Sequence, residues 1–212
     1  MRRTERGIFC IEGFADEAEA LSFQTTLDFL STPNVCDCSR LYRRADTRKD
    51  LIKALREWID RGDWKYPILY LSFHGFDTGV RVDDPAGAGF DRVDLRTLSD
   101  VFEGELSGSL IHFSSCSTLG CPNEEIRRFF ARTDATAISG YRKDVSWLES
   151  TALELLYLDL LQQQMTAYEE TTSGVDPELV SICRERLDDS RRCHGLIDAL
   201  GFRIFTSDDF DE

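Results

Sequence analysis

The stretch of sequence that decides the fold is YPILYLSFHG, residues 66–75, taken together with SLIHFSSC, residues 109–116. Each is an apolar run that ends in small or polar residues, and the first is the most continuous apolar run in the chain. Such runs are typical of strands that are buried on both faces of a parallel sheet. Because the carboxyl ends of parallel strands meet at one edge of the sheet, we expect His74 and Cys116 to face each other there.

The sequence on either side of these two runs alternates between strand and helix patterns. Four further strands are predicted, at residues 7–12, 36–42, 135–140 and 202–205. Apolar residues at helical spacing predict helices at residues 18–30, 51–59, 95–102, 126–130, 145–167 and 177–189. Residues 77–94 are predicted to be a loop or an irregular hairpin, and residues 169–174 a polar loop.

This alternation implies right-handed crossovers and an α/β fold. The expected architecture is a three-layer sandwich, in which a mainly parallel sheet of about six strands has helices on both faces. The chain has 212 residues, of which 42% are hydrophobic and 30% charged, so one domain over residues 1–212 is expected.

Composition also limits the class of partner. The net charge of −14 repels phosphate backbones and anionic lipid surfaces, so no nucleic-acid partner is expected. No apolar run approaches the roughly 18 residues of a membrane span, and no signal-type stretch follows the N-terminus. Seven scattered cysteines are typical of reduced thiols, and we therefore expect a cytoplasmic protein without a membrane partner.

The ends of the two central strands carry the residue types of a Cys-His dyad. A cysteine thiolate is a nucleophile, and a nearby imidazole raises the thiolate fraction or protonates the leaving group. Cys116 also lies shortly before a predicted helix, where backbone N–H groups stabilise an anion. Ser114 and Ser115 are small enough to leave room for a substrate backbone beside Cys116, and Gly75 leaves the same room beside His74.

These motifs resemble the caspase-like (clan CD) cysteine peptidases. The motif residues 71–75 (LSFHG) and 111–117 (IHFSSCS) carry the resemblance. His74 and Cys116 are 42 residues apart, close to the roughly 50 residues expected in that family. Residues 114–120 (SSCSTLG) look most like the bacterial CHAT branch, where the cysteine lies in a Ser-Ala-Cys-x-Thr-Gly type sequence. Residues 137–147 resemble the strand and loop that line the substrate pocket.

The resemblance implies a thiol protease that hydrolyses peptide bonds through an acyl-enzyme. His74 would be the general acid/base, Cys116 the nucleophile, and the N–H groups of Gly75 and Cys116 the oxyanion hole. The implied substrate-binding residues are Ser114, Ser115, Tyr141, Asp144 and Trp147. The implied role is a bacterial stress or anti-phage (antiviral) defence effector that cleaves a protein or peptide substrate without a cofactor or metal. An activating sensor protein or oligomerisation would switch it on.

Other interpretations of the same residues stay open. The caspase pentapeptide of Gln-Ala-Cys-Arg-Gly type is replaced here by SSCST, residues 114–118, and Ser114 stands where metacaspases have an aspartate. These departures favour, as an alternative, a catalytically weak or inactive binding module of the same fold, a pseudo-protease. A third interpretation is a hydrolase that uses Ser114 or Ser115 with His74, but no Gly-x-Ser-x-Gly elbow supports it.

The remaining histidines and cysteines are predicted to be structural. His112 lies inside a predicted strand and is expected in the core, whereas His194 is expected on the surface. Cys36 and Cys38 are separated by one residue, and structural zinc pairs have two to four, so a zinc site with Cys183 and Cys193 is not expected.

Overall fold

The computed structural model of the protein describes residues 6–13, 22–32, 35–36, 38–62, 65–83, 89–167, 174–191 and 193–210. Parts of four predicted elements lie outside these ranges: the start of the first helix, residue 37 of the predicted strand 36–42, the middle of the predicted loop 77–94, and most of the polar loop 169–174.

Nine strands are found in the described part of the chain: β1 (Gly7–Gly13), β2 (Ser39–Ala45), β3 (Ile68–Ser72), β4 (His74–Phe76), β5 (Gly79–Asp83), β6 (Phe90–Asp94), β7 (Leu110–Ser114), β8 (Ala137–Tyr141) and β9 (Phe202–Thr206). Six of them form the central sheet in the order β2-β1-β3-β7-β8-β9. All neighbours in this sheet are parallel except β8 and β9, which are antiparallel. The predicted mainly parallel sheet of about six strands is confirmed.

Among the residues that the structure describes, seven α-helices cover the two faces of the sheet: α1 (Phe23–Leu30), α2 (Arg48–Arg61), α3 (Leu95–Phe102), α4 (Asn123–Thr133), α5 (Trp147–Ala167), α6 (Pro177–Asp189) and α7 (His194–Leu200). Helices α2, α3 and α4 pack on one face, and their buried residues share a cluster with Leu69 and Ile111 of the sheet. Helices α1, α5, α6 and α7 pack on the other face with Ile68 and Leu110. The three-layer α/β architecture is therefore also confirmed.

Local sequence signals set the bounds of α2. Thr47 is the N-cap: its hydroxyl accepts a hydrogen bond from the Asp50 N–H at 3.1 Å and donates one to the Asp50 carboxylate at 2.6 Å. Gly62 ends the helix with a φ of +54°, in the left-handed region that glycine adopts without strain. Both boundaries can be read from the sequence, because Thr47 to Asp50 resembles a capping box and Gly62 follows the last residues at helical spacing.

Two elements differ from the sequence-based expectation. Strand β2 begins and ends three residues later than predicted, because it pairs with β1 in the register Gly7↔Ser39 to Gly13↔Ala45. Helix α7 was not predicted, and it has only seven residues between the polar segment before it and Gly201.

The region predicted as a loop or irregular hairpin contains a small antiparallel sheet in the order β4-β5-β6. Strand β4 pairs with β5 through His74↔Arg81 and Phe76↔Gly79. The alternation of residues 79–83 (GVRVD) explains the pairing, since Val80 and Val82 are buried while Arg81 and Asp83 are half-buried. His74 therefore begins a second sheet directly after the central strand β3.

Candidate active site

The two predicted site residues leave the central sheet side by side. Strands β3 and β7 are parallel neighbours, and their register pairs Ser72 with Ser114. His74 and Cys116 each follow these paired residues by two positions. The topology thus brings both residues to the carboxyl edge of the sheet at the same height.

Gly75 is in direct contact with the backbone of Cys116. A Cβ atom at position 75 would lie 2.0 Å from the Cys116 carbonyl oxygen and 2.8 Å from its amide nitrogen. No residue with a side chain fits this position without moving one of the two segments. The close approach holds the His74–Gly75 segment against the residue that follows β7.

The exposure of the side chains leaves this place open to another molecule. His74 is exposed and Cys116 is half-buried. All seven cysteines are free thiols, and of the other six only Cys36 is also half-buried. Cys36 is therefore the one other thiol whose exposure matches that of Cys116.

The loop that follows β8 closes over the sulfur of Cys116. The Val145 N–H donates a hydrogen bond to Cys116 Sγ at 3.4 Å, and the thiol approaches the Val145 carbonyl oxygen at 3.8 Å. The next residue, Ser117, donates its N–H to the Lys143 carbonyl oxygen at 3.0 Å and its hydroxyl to Asp144 Oδ1 at 2.9 Å. Residues 143–145 and 116–117 are thus joined by four close contacts.

Of the five predicted substrate-binding residues, two have side chains on the surface. Asp144 and Trp147 are exposed, in the loop beside Cys116 and at the start of α5. Ser115 is buried, and its hydroxyl bonds to that of Thr118 at 2.6 Å.

Ser114 and Tyr141 direct their hydroxyls into the interior, onto a carboxylate that the sequence analysis did not single out. Glu154, in the middle of α5, is 1% exposed. It accepts hydrogen bonds from the Ser114 and Tyr141 hydroxyls, each at 2.9 Å, and from the Tyr70 hydroxyl. Burial and the charge of Glu154 raise the pKa of Tyr70 and of Tyr141, so both phenols keep their protons and act as donors.

His112 lies beside this carboxylate in the core, as predicted. Its Nδ1 bonds to the Ser139 hydroxyl at 2.9 Å. Its Nε2 is 3.3 Å from Glu154 Oε1, but the two atoms are not aligned as a hydrogen bond. His194, in contrast, is exposed at the start of α7, also as predicted.

One sequence signal could have located the buried carboxylate. Residues 150, 153, 157, 158 and 161 of α5 are all buried at helical spacing, and Glu154 interrupts this otherwise mostly apolar face. A carboxylate in such a position is costly unless several donors meet it. Its donors, however, come from three different strands and become visible only in the folded structure.

Neither a metal cluster nor a membrane-spanning helix is found in the described ranges. Within them, no cluster of three or more His, Cys, Asp or Glu side chains has the arrangement needed to hold a metal ion. None of the helices in the same ranges has the length and apolar character required to cross a membrane.

Comparison with solved structures defines the class of fold. The chain is similar to a secreted C11 cysteine protease from Bacteroides thetaiotaomicron, solved in complex with an irreversible peptide inhibitor. The TM-score is 0.55 at 10% sequence identity, over 97% of this chain and 67% of that chain. The protein therefore has a caspase-like fold, of the kind found in clan CD cysteine proteases.

The sequence places the chain in a particular family within this fold. It belongs to the family of unknown function DUF6642, whose family model matches residues 5–185. Among curated proteins, no sequence matches the chain.

Proposed function

We propose that this protein is a cysteine endopeptidase in which Cys116 is the nucleophile and His74 the general acid/base. The observation that supports the proposal best is the contact of Gly75 with the Cys116 backbone. It holds the exposed histidine segment beside a half-buried cysteine, at the edge of the sheet where α/β proteins gather their chemistry. The caspase-like fold adds a second, independent reason for this assignment.

The reaction would proceed through an acyl-enzyme. The Cys116 thiolate attacks the carbonyl carbon of the scissile peptide bond, and the N–H groups of Gly75 and Cys116 donate to the oxyanion that forms. The C–N bond then breaks, and His74 gives a proton to the leaving amine. Water attacks the thioester while His74 accepts its proton, and the carboxylic acid product and the free cysteine are released.

The substrate in this proposal is a protein or peptide. Asp144 and Trp147 are the side chains that offer it exposed contact surface beside Cys116. Ser114, Ser115 and Tyr141 use their hydroxyls inside the protein, so any contribution of these three to substrate binding comes from their backbone groups.

The biological setting belongs to the same proposal. A cytoplasmic location rests on seven cysteines that form no disulfide, which fits a reducing compartment. Assignment to the CHAT branch and a role as a defence effector that a partner protein or oligomerisation activates rest on the sequence resemblance alone.

The proposal is tested by the rate at which Cys116 reacts with limiting iodoacetamide at neutral pH, and then with peptidyl chloromethyl ketones. We expect Cys116 to react on the order of tenfold faster than Cys36, because only a thiol with a raised thiolate fraction reacts early. Cys36 is a reference of matched exposure, but contact with Cys38 and burial raise its pKa, so the ratio to Cys36 counts as support only if it falls when His74 is removed. Adducts must be assigned to single residues by fragmentation, since Cys121 is close to Cys116 in sequence.

Variants of the histidine segment complete this experiment. His74→Ala should remove the rate advantage of Cys116, while His194→Ala, which changes an exposed histidine far along the chain, should leave it intact. Gly75→Ala should also remove it although His74 is kept, because the added Cβ separates the two segments. Uniform slow labelling of all thiols in the unmodified protein would contradict the proposal and favour the pseudo-protease binding module.

A further inference from the structure

We propose that Ser117 and Asp144 are positioning residues that hold the Val145 N–H on the sulfur of Cys116, where it acts as a hydrogen-bond donor to the thiolate. The inference rests on the proposed role of Cys116 as the nucleophile. It adds residues that the His74–Cys116 dyad does not require.

Two sets of contacts carry the inference: the hydrogen bond from Val145 to the sulfur, and the bonds from Ser117 to the same loop. The Val145 N–H lies 3.4 Å from Cys116 Sγ. Ser117, next to the nucleophile, bonds the loop that carries Val145 at two points, through its N–H to Lys143 and through its hydroxyl to Asp144. The loop from 142 to 146 lies between β8 and α5 and belongs to neither, so contacts of this kind determine where its N–H groups point.

The backbone of Ser117 indicates that its hydroxyl matters. Its φ of +57° lies in the left-handed region, which glycine adopts freely and serine does not. Glycine would satisfy the backbone here but would have no hydroxyl to donate to Asp144. A serine at this position therefore combines a disfavoured backbone conformation with a hydrogen bond that only the side chain supplies.

The physical effect of the donor is on the thiolate. A backbone N–H that points at sulfur stabilises the negative charge, as donors and positive groups near reactive cysteines generally do. The ionisable residues on the segments that meet at residues 116–117 are His74 on β4 and Arg142, Lys143 and Asp144 in the loop. Lys143 is bonded to the Asp198 carbonyl oxygen at 3.0 Å, away from Cys116.

Asp144 has two opposing influences on Cys116. Its negative charge disfavours the thiolate, while its hydrogen bond with Ser117 keeps the Val145 N–H in place. Asparagine keeps the acceptor oxygen and removes the charge, whereas alanine removes both. A positioning role therefore predicts opposite results for Asp144→Asn and Asp144→Ala.

The experiment measures the rate of Cys116 alkylation by iodoacetamide at pH 7 and at pH 10. Ser117→Gly and Asp144→Ala should lower the rate at pH 7 by about three- to tenfold, the range expected for one lost hydrogen bond. Asp144→Asn should react as fast as the unmodified protein or faster. At pH 10 the losses should shrink strongly, because the donor acts through the thiolate fraction of Cys116, and that fraction rises with pH whether or not the donor is present. A merely structural role would not produce this pH profile.

Controls separate the failure of this inference from that of the proposed function. The Cys36 rate in each variant reports any general loosening of the fold, and Ser117→Gly suits its own backbone conformation. Equal rates in all variants at pH 7 would overturn the inference while Cys116 remains faster than Cys36. A loss that persists undiminished at pH 10, or that is the same for Asp144→Asn and Asp144→Ala, would also overturn it. If Cys116 is alkylated no faster than Cys36 in the unmodified protein, the result contradicts the proposed function itself.

Discussion

The two faces of the central sheet are built from the same strands in different ways. Alternate residues of β3 and β7 point to opposite sides, and those that face α2, α3 and α4 are apolar, including Leu69, Leu71, Ile111 and Phe113. The residues between them, on the side of α5, are Tyr70, His112 and Ser114, which gather around Glu154.

The difference shows how the edge with His74 and Cys116 is held. Apolar burial is a non-directional driving force, whereas hydrogen bonds depend on both distance and direction. Glu154 bonds hydroxyls from β3, β7 and β8 at once, through Tyr70, Ser114 and Tyr141. On this polar face, side-chain bonds therefore join the three strands in addition to their backbone pairing, and one of them, at Ser114, lies two residues from the proposed nucleophile.

The largest effect on stability is expected when the Glu154 carboxylate is removed. Glu154→Ala should lower the free energy of unfolding by about 3–5 kcal/mol, because three buried hydroxyls lose their acceptor and a cavity remains. Urea denaturation measures the loss. Glu149→Ala is the matched control on the same helix, since Glu149 is exposed and its carboxylate accepts a hydrogen bond from the exposed Ser146 hydroxyl. A loss for Glu154→Ala as small as that for the control would show that the polar face does not bear on stability.

The apolar residues of the central strands could be predicted from the sequence, and so could the mainly parallel sheet that they form. Continuous apolar runs and capping signals located the central strands and α2, because burial on both faces leaves a pattern that does not depend on the partners. The same reasoning placed His74 and Cys116 at neighbouring strand ends. Strand β2 shifted by three residues because its register is set by pairing with β1, which no local pattern reports.

The hydrogen bonds on the polar face could not be predicted from the sequence in the same way. Tyr70 and Ser114 lie 84 and 40 residues from Glu154 in the sequence, and each of these two donors taken alone is ordinary for its predicted strand. The contact of Gly75 with Cys116 was likewise hidden, since a glycine after a strand is typical of any turn. Hydrogen bonds between distant residues follow from the tertiary fold, and a single sequence carries no record of the pairs.

A smaller test removes one donor from the polar face. Tyr70→Phe should cost about 1.5–3 kcal/mol, the range for a buried hydrogen bond to a charged group. Tyr157→Phe is the control: its buried hydroxyl lies near Ser139 but has no hydrogen-bond partner among the described residues, so its removal should be neutral or slightly stabilising. Thermal or urea unfolding distinguishes the two variants. Equal losses would mean that packing, and not the hydrogen bond to Glu154, accounts for the contribution of Tyr70.

The smallest test concerns the apolar face. Ile138 is fully buried on β8 and belongs to the cluster on the side of α2, α3 and α4. Ile138→Val removes one methylene and should cost about 1 kcal/mol in unfolding free energy, with no change in the alkylation rate of Cys116. Tyr70→Phe should lower that rate under conditions in which both variants are fully folded, because it removes a directional bond to Glu154, which also bonds Ser114 of β7. If Ile138→Val altered the reactivity of Cys116 as much as Tyr70→Phe does, the two faces would contribute alike to the site, and volume alone would explain how the strand ends are held.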